Sequence, residues 1–229
     1  MNEPHFIQML ILRELLFNPY SRFTDLNISG LTSDHFTYHV RTLTRKGYVR
    51  KERGKYILTA KGKEFSNQMN TDKVLIEKQP KVSVIVIVEK QIKGVNYFLA
   101  QTRLKEPFYS CRGFISGKVR FGETILRAAR RELLEETGLI ANLKFKFLLH
   151  EHVYSQKGNL LEDKLFHMVC ASNPQGKLKD IKEGKNEWLS ENQLLSSQKK
   201  FYDINDILKW LQKPPVNRII EKSYIIKSF

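Results

Sequence analysis

Residues able to do chemistry are densest between Gly117 and Leu139, where Gly117, Glu123, Arg131, Glu132, Glu135, Glu136 and Gly138 stand at fixed intervals. The stretch predicts a glycine-containing loop that leads into a helix from about Glu123 or Thr124, with Gly138 as its C-cap. At about 100° per residue, Glu132, Glu135 and Glu136 share one arc of about 100° on that helix. Three carboxylates so close repel one another unless a cation neutralises them. An all-oxygen cluster suits Mg²⁺ or Mn²⁺, ions that in turn bind phosphate oxygens. Arg131 precedes Glu135 by four residues, where it pairs with and orients that carboxylate. Ala128 and Ala129 are expected to keep the carboxylate face low, and Ile125, Leu126 and Leu133 to form an apolar flank against a sheet. A solvated Glu-rich helix is the usual fate of Glu-x-x-Glu-Glu alone. Here the whole pattern G-x5-E-x7-R-E-U-x-E-E-x-G-U, with U aliphatic, is met. Average residue frequencies put a chance match on the order of one in ten million.

A helix of this kind needs a sheet to rest on. Lys81 to Glu89 is dense in Val and Ile and reads as a buried strand, followed by a second at Tyr97–Arg103. Further strands are expected around Phe145–Tyr154, Lys164–Ala171 and Glu187-Trp188-Leu189, and a helix around Leu194-Leu195. A last helix spans Asp203–Leu211 before Pro214-Pro215, and the tail from Val216 to Phe229 is apolar enough to pack.

The segment Gly117–Leu139 is that of the Nudix box, and from about Lys81 onward the chain resembles a Nudix (MutT-like) hydrolase. The resemblance implies an α/β fold, a mixed sheet between helices in an α/β/α sandwich. It places Gly113-Phe114-Ile115-Ser116-Gly117 where the family usually has Leu-Pro-Gly-Gly, with only the final glycine kept. It implies hydrolysis of a nucleoside diphosphate linked to another moiety, by water attack on a phosphorus of the pyrophosphate. Glu132, Glu135 and Glu136 would then be ligands of Mg²⁺ or Mn²⁺, one of them also assisting deprotonation of the water. Arg131 would orient the carboxylates, Glu123 would support the helix start or reach a second metal, and the Gly117 carbonyl would join the coordination. A further acid from the loop before Trp188 falls first on Glu183 and second on Glu187, Glu183 being equally readable as an ordinary loop carboxylate. Substrate contacts fall on Arg103, which also reads as a strand-end charge, and on Tyr154, fifteen residues after Leu139. An ADP-ribose or nucleotide-sugar substrate is favoured over an oxidised nucleoside triphosphate. His150, His152 and His167 lie on strand-like segments without metal-ligand spacing and are expected to be surface or core histidines.

Ahead of this region the periodicity is helical. Phe6–Phe17 reads as a helix stopping before Asn18-Pro19, Phe23–Leu26 as a short one, and a third runs from Thr32 or Ser33 to about Lys46, ended by Gly47. Phe36, Val40 and Leu43 form its buried stripe, leaving His35, Thr37, Tyr38, Arg41, Thr42 and Arg45 to face elsewhere. Two short strands about Arg53-Gly54 and a closing helix from about Thr59 to Met69 follow. This order, with Tyr38-His39-Val40-Arg41-x-Leu43, Gly47-Tyr48-Val49 and Tyr56-x-Leu58-Thr59-x-x-Gly62, resembles a winged helix-turn-helix domain of prokaryotic regulators. The resemblance implies double-stranded DNA as partner: Thr37, Tyr38, Arg41 and Arg45 toward the major groove, and the hairpin basics Arg50, Lys51 and Arg53 on phosphates. The other reading makes the unit a protein contact, as in a homodimer.

The 229 residues carry 41% hydrophobic residues, enough for real cores, and exclude a wholly disordered chain. The polar stretch 66–80 marks a boundary, giving domains 1–72 and 78–229. Net charge is +15 with a pI of about 9.7, which favours polyanionic partners without bearing on fold. Residues 1–78 hold 13 Lys/Arg against 8 Asp/Glu, so neither region alone owns the excess. Cys111 and Cys170 form no CxxC pair, the opening residues do not read as a leader, and no apolar run suits a membrane span. A cytoplasmic protein is expected. Two functions fit: a hydrolase fused to a DNA-binding unit, or a transcription regulator whose Nudix domain senses a nucleotide-like ligand. In Nudix-related regulators the winged helix follows the Nudix domain and box residues are often lost. This chain reverses the order and keeps the box, which favours catalysis.

Overall fold

Apolar side chains on a helical period build the first core. The computed structural model describes residues 4–27 and 30–227, and the chain divides into units 1–78 and 79–229. In the first unit α1 (Phe6–Phe17), α2 (Phe23–Leu26) and α3 (Ser33–Arg45) bury Ile11, Leu12, Leu15, Leu26, Phe36, Val40 and Leu43 together. β1 (Val49–Glu52) and β2 (Lys55–Leu58) pair antiparallel, Val49 opposite Leu58. Their two-residue turn needs positive φ at both positions, and Arg53 (48°) and Gly54 (80°) supply it. α4 (Ala60–Ser66) is N-capped by Thr59, whose hydroxyl accepts from the Gly62 amide.

Two expectations change here. The closing helix ends at Ser66 and not near Met69, and the polar stretch that marks the boundary carries a small hairpin, β3 (Met69–Asn70) with β4 (Leu75–Ile76). Met69, Val74 and Ile76 pack on the same core, so the unit runs on to Lys78. The polar residues between them hid this apolar set. Thr42 is also buried, its hydroxyl donating to the Tyr38 carbonyl.

In the second unit the strands are β5 (Lys81–Ile92), β6 (Val95–Arg103), β7 (Arg112–Gly113), β8 (Ile115–Lys118), β9 (Leu139–Ser155), β10 (Leu160–Gly176), β11 (Gly184–Ser190) and β12 (Ile219–Ile226). The helices are α5 (Ile125–Thr137), α6 (Glu191–Leu195) and α7 (Ile204–Gln212). One mixed sheet runs β11-β6-β5-β10-β9-β12, with β7 on β6 and β8 on β5; β5/β10 and β9/β12 are parallel. Both faces of β5 are covered, which is why it reads as a continuous apolar run. Val84, Val86 and Val88 face a core with Ala128, Ala129 and Leu133 of α5. Ile85 and Ile87 face the opposite core, with Leu194 of α6 and Ile204, Ile207 and Leu208 of α7. The result is a helix–sheet–helix sandwich, with the expected apolar tail adding an edge strand; residues 228–229 lie outside the described residues. Ala128 and Ala129 turn out to sit in the sheet core rather than beside the carboxylates, while Leu126 is 40% exposed.

Candidate functional site

α5 begins at its N-cap Thr124 and ends where Gly138 takes φ +76°, its amide donating to the Leu134 carbonyl at 2.9 Å. Leu133 and the two alanines fix the helix on the sheet, which sets the direction of the carboxylates around them.

Arg131 is the hub of the cluster. Its Nε and Nη2 donate to the two Glu123 oxygens at 2.9 and 2.8 Å, and Nη1 donates to Glu132 Oε1 at 2.5 Å and Glu135 Oε2 at 3.2 Å. Nη2 also reaches the Lys118 carbonyl at 2.9 Å, tying the helix to the end of β8. The Arg131 hydrogen bond holds the Glu123 carboxyl down at about 2, helped by the Arg120 amide at 3.1 Å. Glu123 is therefore a permanent anion that braces the loop before α5. Burial raises Glu132, against the pull of Arg131 and with further push from Glu136 and Glu135.

Glu132 lies against Gly117, where a Cβ would stand 1.9 Å from the glutamate Cδ. Only glycine at this position leaves room for the Glu132 carboxylate where it stands. Glu136 Oε2 accepts from Gln101 Nε2 at 2.8 Å, and Gln101 in turn meets Asn186 Oδ1 at 3.2 Å. Asn186 Nδ2 donates to the carbonyls of Glu136 and Lys179, locking the end of the helix to β11. Glu135, half exposed, also accepts from Arg120 at 3.3 Å. The structure thus brings Gly117, Glu123, Arg131, Glu132, Glu135 and Glu136 together.

Glu132, Glu136 and Gly117 border a cleft of about 660 Å³. Basic Lys81, Lys105, Lys118 and Lys164 line it, with Phe108, Phe114, Phe201 and Tyr202 as aromatic walls. Buried Glu162 is paired with Lys81 at 2.8 Å and Lys164 at 3.7 Å. Glu151, 1% exposed, takes the Tyr202 hydroxyl on Oε1 at 2.9 Å, while its Oε2 has no partner.

The remaining expected residues fare differently. Arg103 lines the cleft, but its guanidinium donates to the carbonyls of Lys105, Glu106 and Pro107, so it holds the following loop. Tyr154 is not brought to the cleft. The period of two puts it on the sheet face opposite Glu151, beside His152. Glu183 is ion-paired with Lys105 and does not line the cleft; Glu187 is paired with Arg112 at 2.6 Å. Gln101, Asn186, Arg120 and Glu151 were not foreseen. They meet the helix or the cleft through folding alone, Gln101 being 35 residues from Glu136.

In the first unit Tyr38, Arg41 and Arg45 are exposed on α3, Thr37 is half-buried, and Arg50, Lys51 and Arg53 are exposed on the hairpin. Arg50 pairs with Glu52 at 3.1 Å, and Lys51 lies over the Tyr56 ring at 5.5 Å. His39, between His5 and His35, is buried with neither ring nitrogen hydrogen-bonded.

Comparison with known proteins adds two relatives, a solved structure of like fold and a family. The chain is 35% identical over 89 residues to a Danio rerio protein named oxidized purine nucleoside triphosphate hydrolase, covering 36% of this chain and 51% of that one. It is 34% identical over 93 residues to a Methanocaldococcus jannaschii protein named ADP-ribose pyrophosphatase, covering 39% and 53%. The chain spans about half the length of these curated relatives. The NUDIX domain of Shewanella oneidensis NrtR, solved with ADP ribose, shares the fold at TM-score 0.53 and 13% identity, over 68% of this chain and 98% of that one. The family model of the NUDIX domain matches residues 77–211, more than half of the chain and the whole of the carboxylate helix. This chain belongs to the NUDIX domain family.

Proposed function

We propose that residues 79–229 form a divalent-metal-dependent hydrolase that cleaves the pyrophosphate of a nucleoside diphosphate derivative. The observation that carries this reading is the gathering of Glu132, Glu135 and Glu136 on α5, the first two held by Arg131 and the third by Gln101, with Glu132 and Glu136 bordering a cleft lined by both lysines and carboxylates. The donor set fits the cation. It is all carboxylate and carbonyl oxygen, and Gly117 leaves open the room beside Glu132 that a Cβ would fill. Glu132, Glu135, Glu136 and the Gly117 carbonyl would hold Mg²⁺ or Mn²⁺. Such an ion supplies charge neutralisation for phosphate oxygens and a lowered pKa for bound water.

The chain's own residues do the positioning. Arg131 and Gln101 fix the carboxylate rotamers, Glu123 braces the helix start, and the cleft lysines draw the diphosphate toward the carboxylates. The proton from the attacking water is assigned to a box carboxylate, because Glu183 is already engaged by Lys105. A cleft of this size with aromatic walls suits a nucleotide with a second moiety. We favour an ADP-ribose or nucleotide-sugar substrate, in keeping with the name of one relative and the ligand of the similar domain. The two free cysteines fit a reducing, cytoplasmic setting, and among the described residues no helix is long and apolar enough to cross a membrane.

The test is hydrolysis in Mg²⁺ of ADP-ribose, dinucleoside polyphosphates, NADH and nucleoside triphosphates, read by chromatographic separation of the nucleoside monophosphate products, with wild type beside Glu135→Gln. Turnover is expected on a diphosphate-linked substrate, falling by roughly 100-fold or more in the variant. Equal turnover by both proteins would remove the box from the mechanism. The exposed basic residues of α3 and the hairpin support a second reading, a DNA-bound regulator that senses the same ligand class. Ligand binding without turnover, together with DNA retention altered by ligand, would select it.

A further inference from the structure

The histidines left aside by the sequence pattern meet on the sheet. His150 and His152 are two apart on β9, so both project from the face opposite Glu151. On the antiparallel neighbour β10, Asp163 stands directly across from His152; on the parallel neighbour β12, Glu221 stands directly across from His150. The two imidazole rings lie 4.3 Å apart between centroids. One ligand atom from each of His150, His152 and Asp163 falls within 4.8 Å of the others. Asp163 Oδ1 is 2.9 Å from His150 Nε2 and 3.8 Å from His152 Nε2.

We propose that His150, His152 and Asp163 bind one late first-row divalent cation of the zinc class, with Glu221 orienting His150. Ligand bonds of about 2.0–2.1 Å in a tetrahedral shell put donor atoms roughly 3.4 Å apart, and the two distances to Asp163 bracket that spacing. The donor chemistry selects the ion. Two imidazoles and a carboxylate suit Zn²⁺, Co²⁺, Ni²⁺ or Cu²⁺, whereas the all-oxygen cluster on α5 suits Mg²⁺ or Mn²⁺. Glu221 Oε1 lies 3.7 Å from His150 Nδ1. That is beyond hydrogen-bond length, and with the ion bound this exposed carboxylate would close on Nδ1, fixing the tautomer and leaving Nε2 for the ion. Three protein ligands leave the fourth position to water or an incoming group. Since the ligands belong to β9 and β10 and the orienting group to β12, the ion ties the edge strand to the sheet. The proposal does not depend on the hydrolase reading.

The experiment is a Co²⁺ titration of the full chain in excess Mg²⁺, followed by visible absorption, with competition by Zn²⁺. One Co²⁺ is expected per chain, with the absorption of a low-coordinate nitrogen–oxygen site. Affinity should fall at least tenfold in His152→Ala and Asp163→Asn, and roughly tenfold in Glu221→Gln. Zinc should raise the melting temperature of wild type and not that of His152→Ala. On the wild-type chain, Zn²⁺ should protect His150 and His152 from diethyl pyrocarbonate while leaving His35 reactive, as read by mass spectrometry. This footprint decides the matter even where a variant fails to fold. Binding unchanged in both ligand variants, or no protection in the footprint, reduces the cluster to a histidine–aspartate hydrogen bond and overturns the proposal.

Discussion

Glu151 is the residue where burial and charge conflict most. Burial, reinforced by nearby Asp203, pushes its carboxyl up to about 8, against the Tyr202 hydroxyl and Lys164, which favour the anion. Glu162 on β10 adds to the upward push, and Asp203 itself is raised to about 6, chiefly by burial. An unfolded glutamate titrates near 4.3. Between the two values the native state keeps a proton that the unfolded chain has lost, so stability declines as pH rises through that window. One such group contributes a slope of at most about 1.4 kcal/mol per pH unit. Glu151 and Asp203 titrate as a pair, so the slope across this window is shared between them. Glu151→Gln, neutral throughout, is expected to flatten the decline between about pH 6 and pH 8 and to melt above wild type at about pH 9. Thermal melts across that range measure it. Parallel curves for the two proteins would mean that the wild-type carboxyl ionises without penalty.

At the scale of elements, the place of the Glu132 carboxylate depends on the bare backbone of β8 at Gly117. Gly117 is paired with Val84 of β5, so β8 cannot retreat, and a methyl at that position would fall 1.9 Å from Glu132 Cδ. Gly117→Ala should therefore displace the Glu132 carboxylate from its place and from its hydrogen bond with Arg131. A loss of roughly 1–3 kcal/mol is expected in urea unfolding, together with weakened Mn²⁺ binding followed by paramagnetic relaxation. An alanine variant as stable and as retentive of Mn²⁺ as wild type would show that the glycine is not needed. The helix itself was legible: its period, its carboxylate spacing and its terminal glycine are all local. So were the β5 and β6 strands, because sheet burial leaves an alternating or continuous apolar trace. What stayed hidden is what only pairing creates. Asn186 and Gln101 are 85 residues apart, and Arg112 and Glu187 are 75 apart. His150 and Asp163 meet through strand register that no spacing announces. Tyr154 was chosen by its distance along the chain, whereas the strand's alternation decides which face a side chain sees.

At the scale of the whole chain, the net charge of +15 is shared between two units. In the second unit, lysines line the cleft where a diphosphate would lie. In the first, Arg41 and Arg45 project from α3 and Arg50, Lys51 and Arg53 from a two-residue hairpin, all exposed. The Arg50–Glu52 pair is open to water and holds Arg50 only weakly, leaving it free to exchange partners. If the three hairpin cations lie on DNA phosphates, each releases counterions, and the logarithm of affinity falls with the logarithm of salt at about 0.9 per contact. Replacing Arg50, Lys51 and Arg53 by Gln should then reduce that slope by nearly three while weakening all duplexes alike. Arg41→Ala, on the helix, should lower affinity for a preferred sequence more than for random DNA, because base-edge contacts carry the discrimination. Retention of the full chain on duplex DNA over a salt series reads both effects. An unchanged slope in the triple variant would assign the hairpin to a protein contact, and the oligomeric state of that variant would then be the quantity to follow.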